Sequence, residues 1–487
     1  MARFVLLWLS FLSVKAHQTC TKGRLFVADK DASKVHVLDL DDADGVVVAS
    51  LDAPIAGARL MATDTDMATV IAVDRGSTAQ GSVHFYSPGF SADDHGDHVD
   101  VVKSTPRAHD FTLTGWKPTH TTYSAGYVNV FMDGVWSSDL AEDMHNSSAV
   151  FVKESSLSTT PVVVEVPIDG AHHGVSYALS DNHFVMSLST DARKMRVDGT
   201  SSLPGSFAVA SAAGAVLQEI GNESSPSCPA FHGAAKVGNT FVTGCGSGGW
   251  LRGTYNGQAS EPVSWERVAF PKPNASLEYR SGTVRKYTPG SLFLADLYPL
   301  GVSAPRYVAP MSATGSVAAA SLLEVTRSTS ENDVCHWAVD QAVADDGTHV
   351  AVLTKDGSLS VAEVDGTAAG TMAVASVFDS AIDCADTAMV AGHGVVHIVA
   401  AAGSPRVVTV DLAEVLGGHA DHAVSSMSLS FTPASRAALA LPPSMACAPE
   451  GHGHGHDHDH DHDDETSSTS MLTAALAPLL GAMLWVC

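Results

Sequence analysis

The sequence has few basic residues and lacks the short motifs of common enzyme classes. Its 487 residues include 27 Lys and Arg against 53 Asp and Glu, a formal net charge of −26. This balance argues against nucleic-acid binding, which requires a basic surface, and against charge-driven binding to anionic lipid. The G-x-S-x-G, H-E-x-x-H, C-x-x-C and Walker motifs are absent. The acidic charge favours attraction of cations, although it would also keep an extracellular protein soluble.

The two ends of the sequence have the composition expected of targeting signals. Residues 1–16 combine Arg3 with an apolar run and small residues, which is typical of a secretory signal peptide. Residues 471–487 form an apolar run behind a polar stretch. This favours a GPI-attachment signal over a single membrane anchor, because the run is shorter than the roughly 20 residues that a span needs. Both interpretations place the body on the extracellular face of the plasma membrane.

Cysteine usage and glycosylation sequons are consistent with the secretory pathway. The chain has seven Cys, and loss of Cys487 with a cleaved tail would leave six, for which 15 pairings exist. The spacing suggests the pairs Cys228–Cys245, Cys335–Cys384 and Cys20–Cys447. N-glycosylation sequons begin at Asn146, Asn222 and Asn274. A disulfide-bonded, secreted glycoprotein is therefore expected.

Residues 20–447 contain short strand-like runs and almost no helical periodicity. Runs of Val, Phe, Ala, Thr and Leu are separated by Gly, Asp, Ser and Asn turns. A repeated unit starts at intervals of roughly 45 to 60 residues, near the period of β-propeller blades. The units are Leu60–Asp74, His120–Asp133, His173–Ser187, His232–Gly244, Thr283–Asp296, His336–Thr354 and Asp386–Ala400. The predicted fold is an all-β propeller over residues 20–447.

The ends of this region predict that the ring is closed by N- and C-terminal strands. Arg24–Asp29, Lys34–Leu40 and Val46–Leu51 look like the later strands of a blade whose first strand is missing. Arg436–Leu441 could supply that strand. With this composite blade the propeller has eight blades, and seven is the alternative. Residues 449–470 contain no apolar side chains for a core and form a predicted disordered His/Asp-rich tail.

Histidine points most directly to function, because imidazole and carboxylate are ligands that Zn²⁺ prefers. Four repeat units carry His in their leading segments, which in a propeller line a central channel and could converge near one mouth. A loop with the sequence DHGDH could close over a channel-bound ion, although an ordinary acidic surface loop has the same composition. The candidate zinc ligands are His120, His172, His173, His232 and His336 in the leading segments, and His95, Asp97 and His98 in the loop.

The tail offers a different kind of metal site. Its His residues alternate with Gly and Asp, and on a flexible chain this pattern gives weak, interchangeable sites without fixed geometry. Such sites could capture ions from dilute solution, while the alternative is a solvated linker. The weak tail sites are His452, His454, His456, His458, His460 and His462.

The order of several motifs resembles the AztD-type periplasmic zinc metallochaperones, a β-propeller family of bacterial zinc-import systems. The motifs are GRLFVADKDASKVHVLDL (23–40), DHGDH (94–98), GWKPTH (115–120), AHHGV (171–175) and CPAFHG (228–233). The resemblance covers roughly residues 23 to 441. It implies zinc held at the channel mouth, a mobile His-rich loop, and direct handover to a metal-binding partner. The bacterial proteins are free in the periplasm and serve a solute-binding protein of an ABC importer. The partner of an anchored chain must differ, and a membrane zinc transporter of the same cell is our hypothesis.

The sequence therefore predicts an extracellular propeller that binds Zn²⁺ and buffers it or hands it to a partner, without catalysis. Two alternatives remain at this stage. One is a propeller enzyme of the hydrolase or lactonase type that depends on a channel metal, and the other is an adhesive or interaction propeller. A closed shell of His would favour carriage, whereas three ligands with an open position would permit catalysis.

Overall fold

The structure is a computed structural model, and it describes a defined part of the chain. The described residues are 22–42, 46–63, 68–77, 79–94, 99–136, 143–197, 202–221, 226–287, 292–300, 306–313, 322–325, 334–341, 348–365, 368–369, 373–420 and 422–442. The predicted signal peptide, tail and apolar C-terminus lie outside them, as do His95, Asp97 and His98 of the DHGDH loop. No helix among the described residues combines the length and apolar character that crossing a bilayer requires.

The described residues form 38 strands and two short α-helices. The strands of the first half are β1 (Arg24–Asp29), β2 (Lys34–Asp39), β3 (Val47–Asp52), β4 (Arg59–Ala62), β5 (Val70–Asp74), β6 (Gly81–Ser87), β7 (Phe90–Asp94), β8 (Val99–Lys103), β9 (Arg107–Gly115), β10 (Pro118–Ser124), β11 (Tyr127–Met132), β12 (Val135–Trp136), β13 (Asp143–His145), β14 (Ser147–Lys153), β15 (Val163–Ile168), β16 (Ser176–Ala178), β17 (His183–Leu188), β18 (Ser206–Ser211) and β19 (Val216–Ile220).

The second half continues the same pattern. Its strands are β20 (His232–Val237), β21 (Thr240–Gly244), β22 (Gly249–Tyr255), β23 (Val263–Ala269), β24 (Tyr279–Arg280), β25 (Val284–Tyr287), β26 (Leu292–Pro299), β27 (Arg306–Ser312), β28 (Leu323–Val325), β29 (Val334–Gln341), β30 (Thr348–Thr354), β31 (Ser358–Asp365), β32 (Ala368–Ala369), β33 (Ala373–Ser376), β34 (Thr387–Gly392), β35 (Val395–Ala400), β36 (Arg406–Asp411), β37 (Val424–Ser428) and β38 (Pro433–Ala440). The α-helices are α1 (Thr190–Val197) and α2 (Leu412–Leu416), and single 3₁₀ turns span Glu154–Ser156 and Cys384–Asp386.

Eight antiparallel sheets form the blades of the propeller, so the prediction of eight blades is confirmed. From the innermost strand outwards, blade 1 is β38-β1-β2-β3, blade 2 is β4-β5-β6-β9, blade 3 is β10-β11-β14-β15, blade 4 is β16 to β19, and blade 5 is β20 to β23. Blade 6 is β25-β26-β27-β28 with β24 beside β25 on β26, blade 7 is β29-β30-β31 with β32 and β33, and blade 8 is β34 to β37.

The ring closes by pairing the first and last strands. In blade 1 Arg24 of β1 lies opposite Ala440 of β38, and Val27 lies opposite Ala437. This composite blade is the predicted one, and it is confirmed. Two of the suggested disulfides are also present, Cys228–Cys245 and Cys335–Cys384. Both Cys of the third suggested pair lie outside the described residues.

The cores between neighbouring blades fix the segments that carry the candidate ligands. Both faces of a blade are covered by its neighbours, so the inner strands are almost continuously apolar, as in Tyr127–Met132. Phe131, Phe151 and Phe184 are buried between blades 3 and 4, and a second aromatic cluster that includes Phe231 lies between blades 4 and 5. Residues next to these aromatic side chains are therefore held by packing as well as by strand pairing.

The propeller has two faces, which we call upper and lower. The upper face is the one at which the innermost strands begin and the second strands end. The hairpin β12–β13 of blade 3 and helix α1 of blade 4 both connect a second strand to a third strand, so they lie on the upper face. The hairpin β7–β8 connects the third and fourth strands of blade 2, so it leaves the propeller on the lower face.

Candidate metal centre

Three of the predicted ligands meet at the upper end of the channel. His120 lies in β10 of blade 3, His173 precedes β16 of blade 4, and His232 begins β20 of blade 5. One ring nitrogen of each can be chosen such that all three lie within 4.8 Å of one another. The Nε2 atoms of His120 and His173 are 2.9 Å apart. Three adjacent blades thus contribute one imidazole each to a single cluster, which we call the triad.

Irregular pairing at the start of two innermost strands orients the side chains of His120 and His232. A β-bulge separates Pro118 from His120 in blade 3, and another follows His232 in blade 5. A bulge turns a side chain away from the regular alternation of a strand, and such bulges are frequent next to functional sites. Gly233, in this second bulge, has φ +68° and would place a Cβ only 2.4 Å from the carbonyl oxygen of Gly282. Glycine is required there because any other residue would displace His232 or its support.

A buried carboxylate orients His173. The Nδ1–H of His173 donates to Oδ2 of Asp133 over 2.9 Å, and the same oxygen accepts a 2.7 Å bond from Arg75. Asp133 has no solvent exposure, and its Oδ1 has no hydrogen-bond donor among the described residues. The proton is therefore fixed on Nδ1, and Nε2 of His173 faces His120 with its lone pair. A carboxylate behind a histidine is the usual support of a zinc-binding imidazole.

His232 is oriented through a peptide group instead. Its Nδ1–H donates to the carbonyl oxygen of Gly282 over 2.7 Å. The N–H groups of Gly282 and Thr283 both donate to Oδ1 of Asp296, over 2.8 and 2.7 Å. Asp296 thus fixes the loop that fixes His232, which leaves Nε2 as the ligand atom. The pKa of His232 is lowered by burial, partly opposed by the Gly282 carbonyl.

His120 is held in its neutral form by its surroundings. Burial, followed by repulsion from His173 and His232, holds the pKa of His120 well below the ordinary histidine value. A metal ligand must be unprotonated, so the environment favours the form that binds. A tetrahedral zinc ion with Zn–N distances of about 2.0–2.1 Å needs donors roughly 3.4 Å apart. The triad matches that spacing to within small side-chain movements, and it provides three ligands among the described residues.

The side chain of the neighbouring His172 lies in the core of the blade and not in the triad. It is fully buried, with Nδ1 3.2 Å from Oγ of Ser147 and Nε2 2.9 Å from Oγ of Ser187. Its ring also packs edge-on against Phe131 at 5.0 Å. Burial lowers the pKa of His172 to about 4. Of the two consecutive histidines, His173 belongs to the triad, and His172 anchors the segment to the core of the blade by its hydrogen bonds.

His336 lies on the innermost strand of blade 7, on the other side of the ring from blade 3. It follows a bulge and is paired with Leu353, the penultimate residue of the second strand. His120 has the same register position in blade 3, opposite Phe131. The side chain of His336 is not among those described, so its role as a ligand stays a prediction.

The hairpin β7–β8, whose strands flank the DHGDH sequence, leaves the propeller on the lower face. Its ligand candidates His95, Asp97 and His98 lie outside the described residues. The base of its hairpin is anchored beside blade 1, where Lys103 donates to Oδ1 of Asp39 over 2.7 Å. The strands that flank the loop therefore leave the propeller at the end opposite the triad. This position does not favour a lid that closes over the triad. The six tail histidines also lie outside the described residues.

Sequence reasoning did not identify the residues behind the ligands. These are Asp133, Arg75, Gly282 and Asp296. One signal for them was visible, because three repeat units end in an aspartate directly after an apolar run, VIAVD at 70–74, VFMD at 130–133 and LFLAD at 292–296. The last two of these aspartates support the ligands. An aspartate at the end of a second strand lies on the same face as the start of the innermost strand. It can therefore reach a leading segment, which is that of the next blade for Asp133 and that of its own blade for Asp296.

Comparisons with known proteins agree with this fold. No model of a known protein family matches the chain. The zinc chaperone AztD of Citrobacter koseri is 30% identical over 244 residues, which are 50% of this chain and 51% of that protein, so the match spans about half of the relative. Two solved structures of C. koseri AztD, one of the apo protein, give TM-scores of 0.65 and 0.63 at 21% identity, covering 85% of this chain and 97% of each relative. The resemblance to the AztD-type zinc metallochaperones is thereby confirmed, in sequence over half of the chain and in the β-propeller fold over most of it.

Proposed function

We propose that the propeller binds one Zn²⁺ ion at His120, His173 and His232 and carries or buffers it for transfer to a metal-binding partner. The observation that carries this proposal is the convergence of three imidazoles from three blades, two of them with the proton fixed on Nδ1. Borderline ions such as Zn²⁺ prefer nitrogen ligands of this kind. The similarity to a zinc chaperone supports the same conclusion.

The geometry suits reversible binding. The three ligands are partly exposed at the channel mouth rather than sealed in the core, so an ion and a competing ligand can both reach them. Three histidines leave one position of a tetrahedral zinc ion for a further donor, and a donor from a partner can bind there before the histidines are released. Transfer by stepwise ligand exchange requires such a position, whereas a closed four-ligand site would hold its ion structurally.

The location and partner of the chain are part of the same proposal. The chain would enter the secretory pathway by residues 1–16 and be held at the outer face of the plasma membrane by residues 471–487. Its receiving partner would be a membrane zinc transporter. The His/Asp-rich tail would bind further Zn²⁺ ions weakly. The sequence patterns and the charge of −26 support these points.

The test is a zinc titration of the intact chain against a competing chelator. We expect one tight site and several weak ones, and replacement of His120, His173 or His232 by Ala should remove the tight site alone. His422, an exposed histidine in blade 8, gives the matched control H422A. An apo zinc-binding protein added to the loaded chain should then take up the ion faster than it does from the free chelator complex. Absence of a tight site, or its survival in the three variants, would refute the proposal.

A channel-metal enzyme is the second candidate, because three histidines with an open position also describe catalytic zinc sites. The zinc-loaded chain would then hydrolyse an ester or lactone, and His173→Ala would abolish the activity. Tight zinc binding and handover without such hydrolysis would support the chaperone instead.

A further inference from the structure

Eight residues at the same register position surround the lower end of the channel. Each lies on an innermost strand, opposite the second residue of the second strand of its blade. We call this set the lower layer. In the order of blades 1 to 8 it comprises Leu439, Met61, Tyr123, Ala178, Lys236, Lys286, Asp340 and Ala391. In a protein with a net charge of −26, this layer contains two lysines and one aspartate.

The two lysines lie on neighbouring strands at the same height in the channel. Lys236 is on β20 of blade 5, and Lys286 is on β25 of blade 6. The contact between these strands is fixed three residues before each lysine, because a Cβ on Gly233 would lie 2.8 Å from Cα of Thr283. Both strands run from the upper to the lower face, so the two lysines are side by side at their lower ends.

The side chain of Lys286 crosses the channel. Its Nζ donates to the carbonyl oxygen of Tyr123 over 3.1 Å and lies 5.9 Å from the centroid of the Tyr123 ring. Tyr123 belongs to blade 3, so the side chain passes in front of blades 4 and 5, and blade 5 carries Lys236. Both Lys286 and Tyr123 are partly exposed, so solvent reaches this layer.

Lys236 is a buried lysine without a counter-charge among the described residues. It is 8% exposed, and its Nζ donates to the carbonyl oxygen of Gly238 over 2.6 Å. It forms no ion pair with a described residue. Burial, followed by repulsion from Lys286, lowers the pKa of Lys236 to about 8. An ammonium group has three donors, and a buried charge without a partner is costly. A negatively charged acceptor beside Lys236 would therefore stabilise the folded chain.

We propose that the lower layer binds a small oxyanion, a phosphate or a carboxylate, between the ammonium groups of Lys236 and Lys286. Lysine binds such anions as a point charge through charge-assisted hydrogen bonds. The carbonyl oxygens of Gly238 and Tyr123 position the two Nζ atoms before the anion arrives. The site is independent of the proposed zinc function, because Lys236 follows His232 by four residues, about 13 Å along the strand.

Thermal unfolding of the intact, metal-free chain tests this site. Inorganic phosphate replaces chloride stepwise at constant ionic strength, and acetate replaces it in a second series. An anion that binds the folded chain raises the unfolding temperature by an amount that follows the binding curve of one site. A general salt effect also raises this temperature, but it does not depend on the lysines. We expect a rise with at least one of the two anions, and the larger rise identifies the class of anion.

The variant Lys236→Met keeps the length of the side chain and removes its charge. In chloride it should unfold at or above the wild-type temperature, because a buried unpaired charge is removed. In phosphate or acetate it should lose the rise. Lys355→Met, which replaces an exposed lysine in the turn after β30, is the matched control and should keep the rise. A rise that persists in K236M, or no rise in the wild type with either anion, would overturn the inference.

Acylation with acetic anhydride at pH 7 locates the bound anion. An anion that raises the pKa of Lys236 by one unit reduces the neutral, reactive fraction of this amine about tenfold. Mass spectrometry of the digested chain should therefore show labelling of Lys236 slowed about tenfold in the stabilising anion, with labelling of Lys355 unchanged. Equal labelling rates of Lys236 in chloride and in that anion would contradict binding at the lower layer.

Discussion

Asp133 and His173 form a pair in which a fully buried carboxylate accepts the Nδ1–H of a partly exposed imidazole over 2.9 Å. Replacing Asp133 by Asn keeps the shape but removes the charge that holds this proton and pairs with Arg75. We expect D133N to weaken zinc binding by about 10- to 100-fold, as is typical when the support of a metal-bound histidine is lost. Chelator competition measures the change.

Asp74→Asn is the matched control for that variant. Asp74 is the last residue of the second strand of blade 2, and Asp133 directly follows the second strand of blade 3. The carboxylate of Asp74, however, accepts a hydrogen bond from the N–H of Gly76 and not from a histidine. D74N should retain wild-type zinc affinity. Equal effects of the two substitutions would mean that Asp133 acts only on the fold.

The consecutive histidines His172 and His173 should have separable roles. His173→Ala removes a ligand from a partly exposed site, so it should abolish tight zinc binding with little effect on stability. His172→Ala leaves the hydroxyls of Ser147 and Ser187 without their buried partner. It should reduce the free energy of unfolding by about 1–3 kcal/mol or more while the folded fraction still binds zinc. Urea unfolding and zinc titration of both variants measure these effects. Loss of tight zinc binding in His172→Ala, with loss of stability in His173→Ala, would contradict these roles.

Acid should destabilise the metal-free propeller partly through His397. This side chain is 5% exposed in blade 8, and burial lowers its pKa to about 4. The unfolded chain takes up a proton near pH 6.5, but the folded chain does not until about pH 4. Stability is therefore lost as pH falls through this window, by roughly 2 kcal/mol between pH 7 and pH 5 for this group. His397→Gln should flatten the pH dependence of urea unfolding by that amount, and an unchanged slope would contradict the assignment.

The two disulfides should affect zinc binding differently. Cys228 lies four residues before the ligand His232, and its disulfide with Cys245 joins this leading segment to the end of β21. Cys335–Cys384 joins blade 7 to the turn before blade 8. Replacing either pair by Ala should cost about 2–5 kcal/mol of stability. Loss of the first pair alone should also weaken zinc binding in the folded protein, and equal zinc affinities of the two variants would refute this role.

The DHGDH loop provides a test of the lid hypothesis. A lid would make His95→Ala/His98→Ala weaken the tight site and slow transfer. Because the hairpin β7–β8 leaves the lower face, we expect the tight site to keep its affinity in this variant, with loss of at most a weak, separate site. A measurable drop in tight-site affinity would show that the loop reaches the triad.

The sequence was sufficient for the repeat and for the closing strand, whereas it left the blade count at eight or seven until the sheets were assigned. Short apolar runs such as Tyr127–Met132 and the incomplete first blade carry that information locally. The histidines of the triad could be proposed because they recur in the leading segments of the repeat. What the sequence could not distinguish was His172 from His173, because a shift of one residue decides which side chain faces the core and which the channel.

The groups that support the ligands were harder to infer, because they act across long sequence separations or through the backbone. Asp133 acts on a residue 40 positions later, and Gly282 acts through a backbone carbonyl that has no residue-type signature. The position of the hairpin β7–β8 depends on which strand pair of blade 2 it interrupts. That order follows only once β4, β5, β6 and β9 are assigned to one sheet.

The pairing of β1 with β38 has a consequence for biosynthesis. Strands β1 to β3 leave the ribosome first, yet their inner neighbour is among the last segments to be made. Until then the nascent chain carries an unpaired strand edge at Arg24–Asp29, the kind of edge that invites pairing with other chains. The ring, and with it the final spacing of the blades around the channel, can therefore be completed only after translation has passed residue 440. Any truncation upstream of Pro433 should yield an open arc that is prone to associate with other molecules.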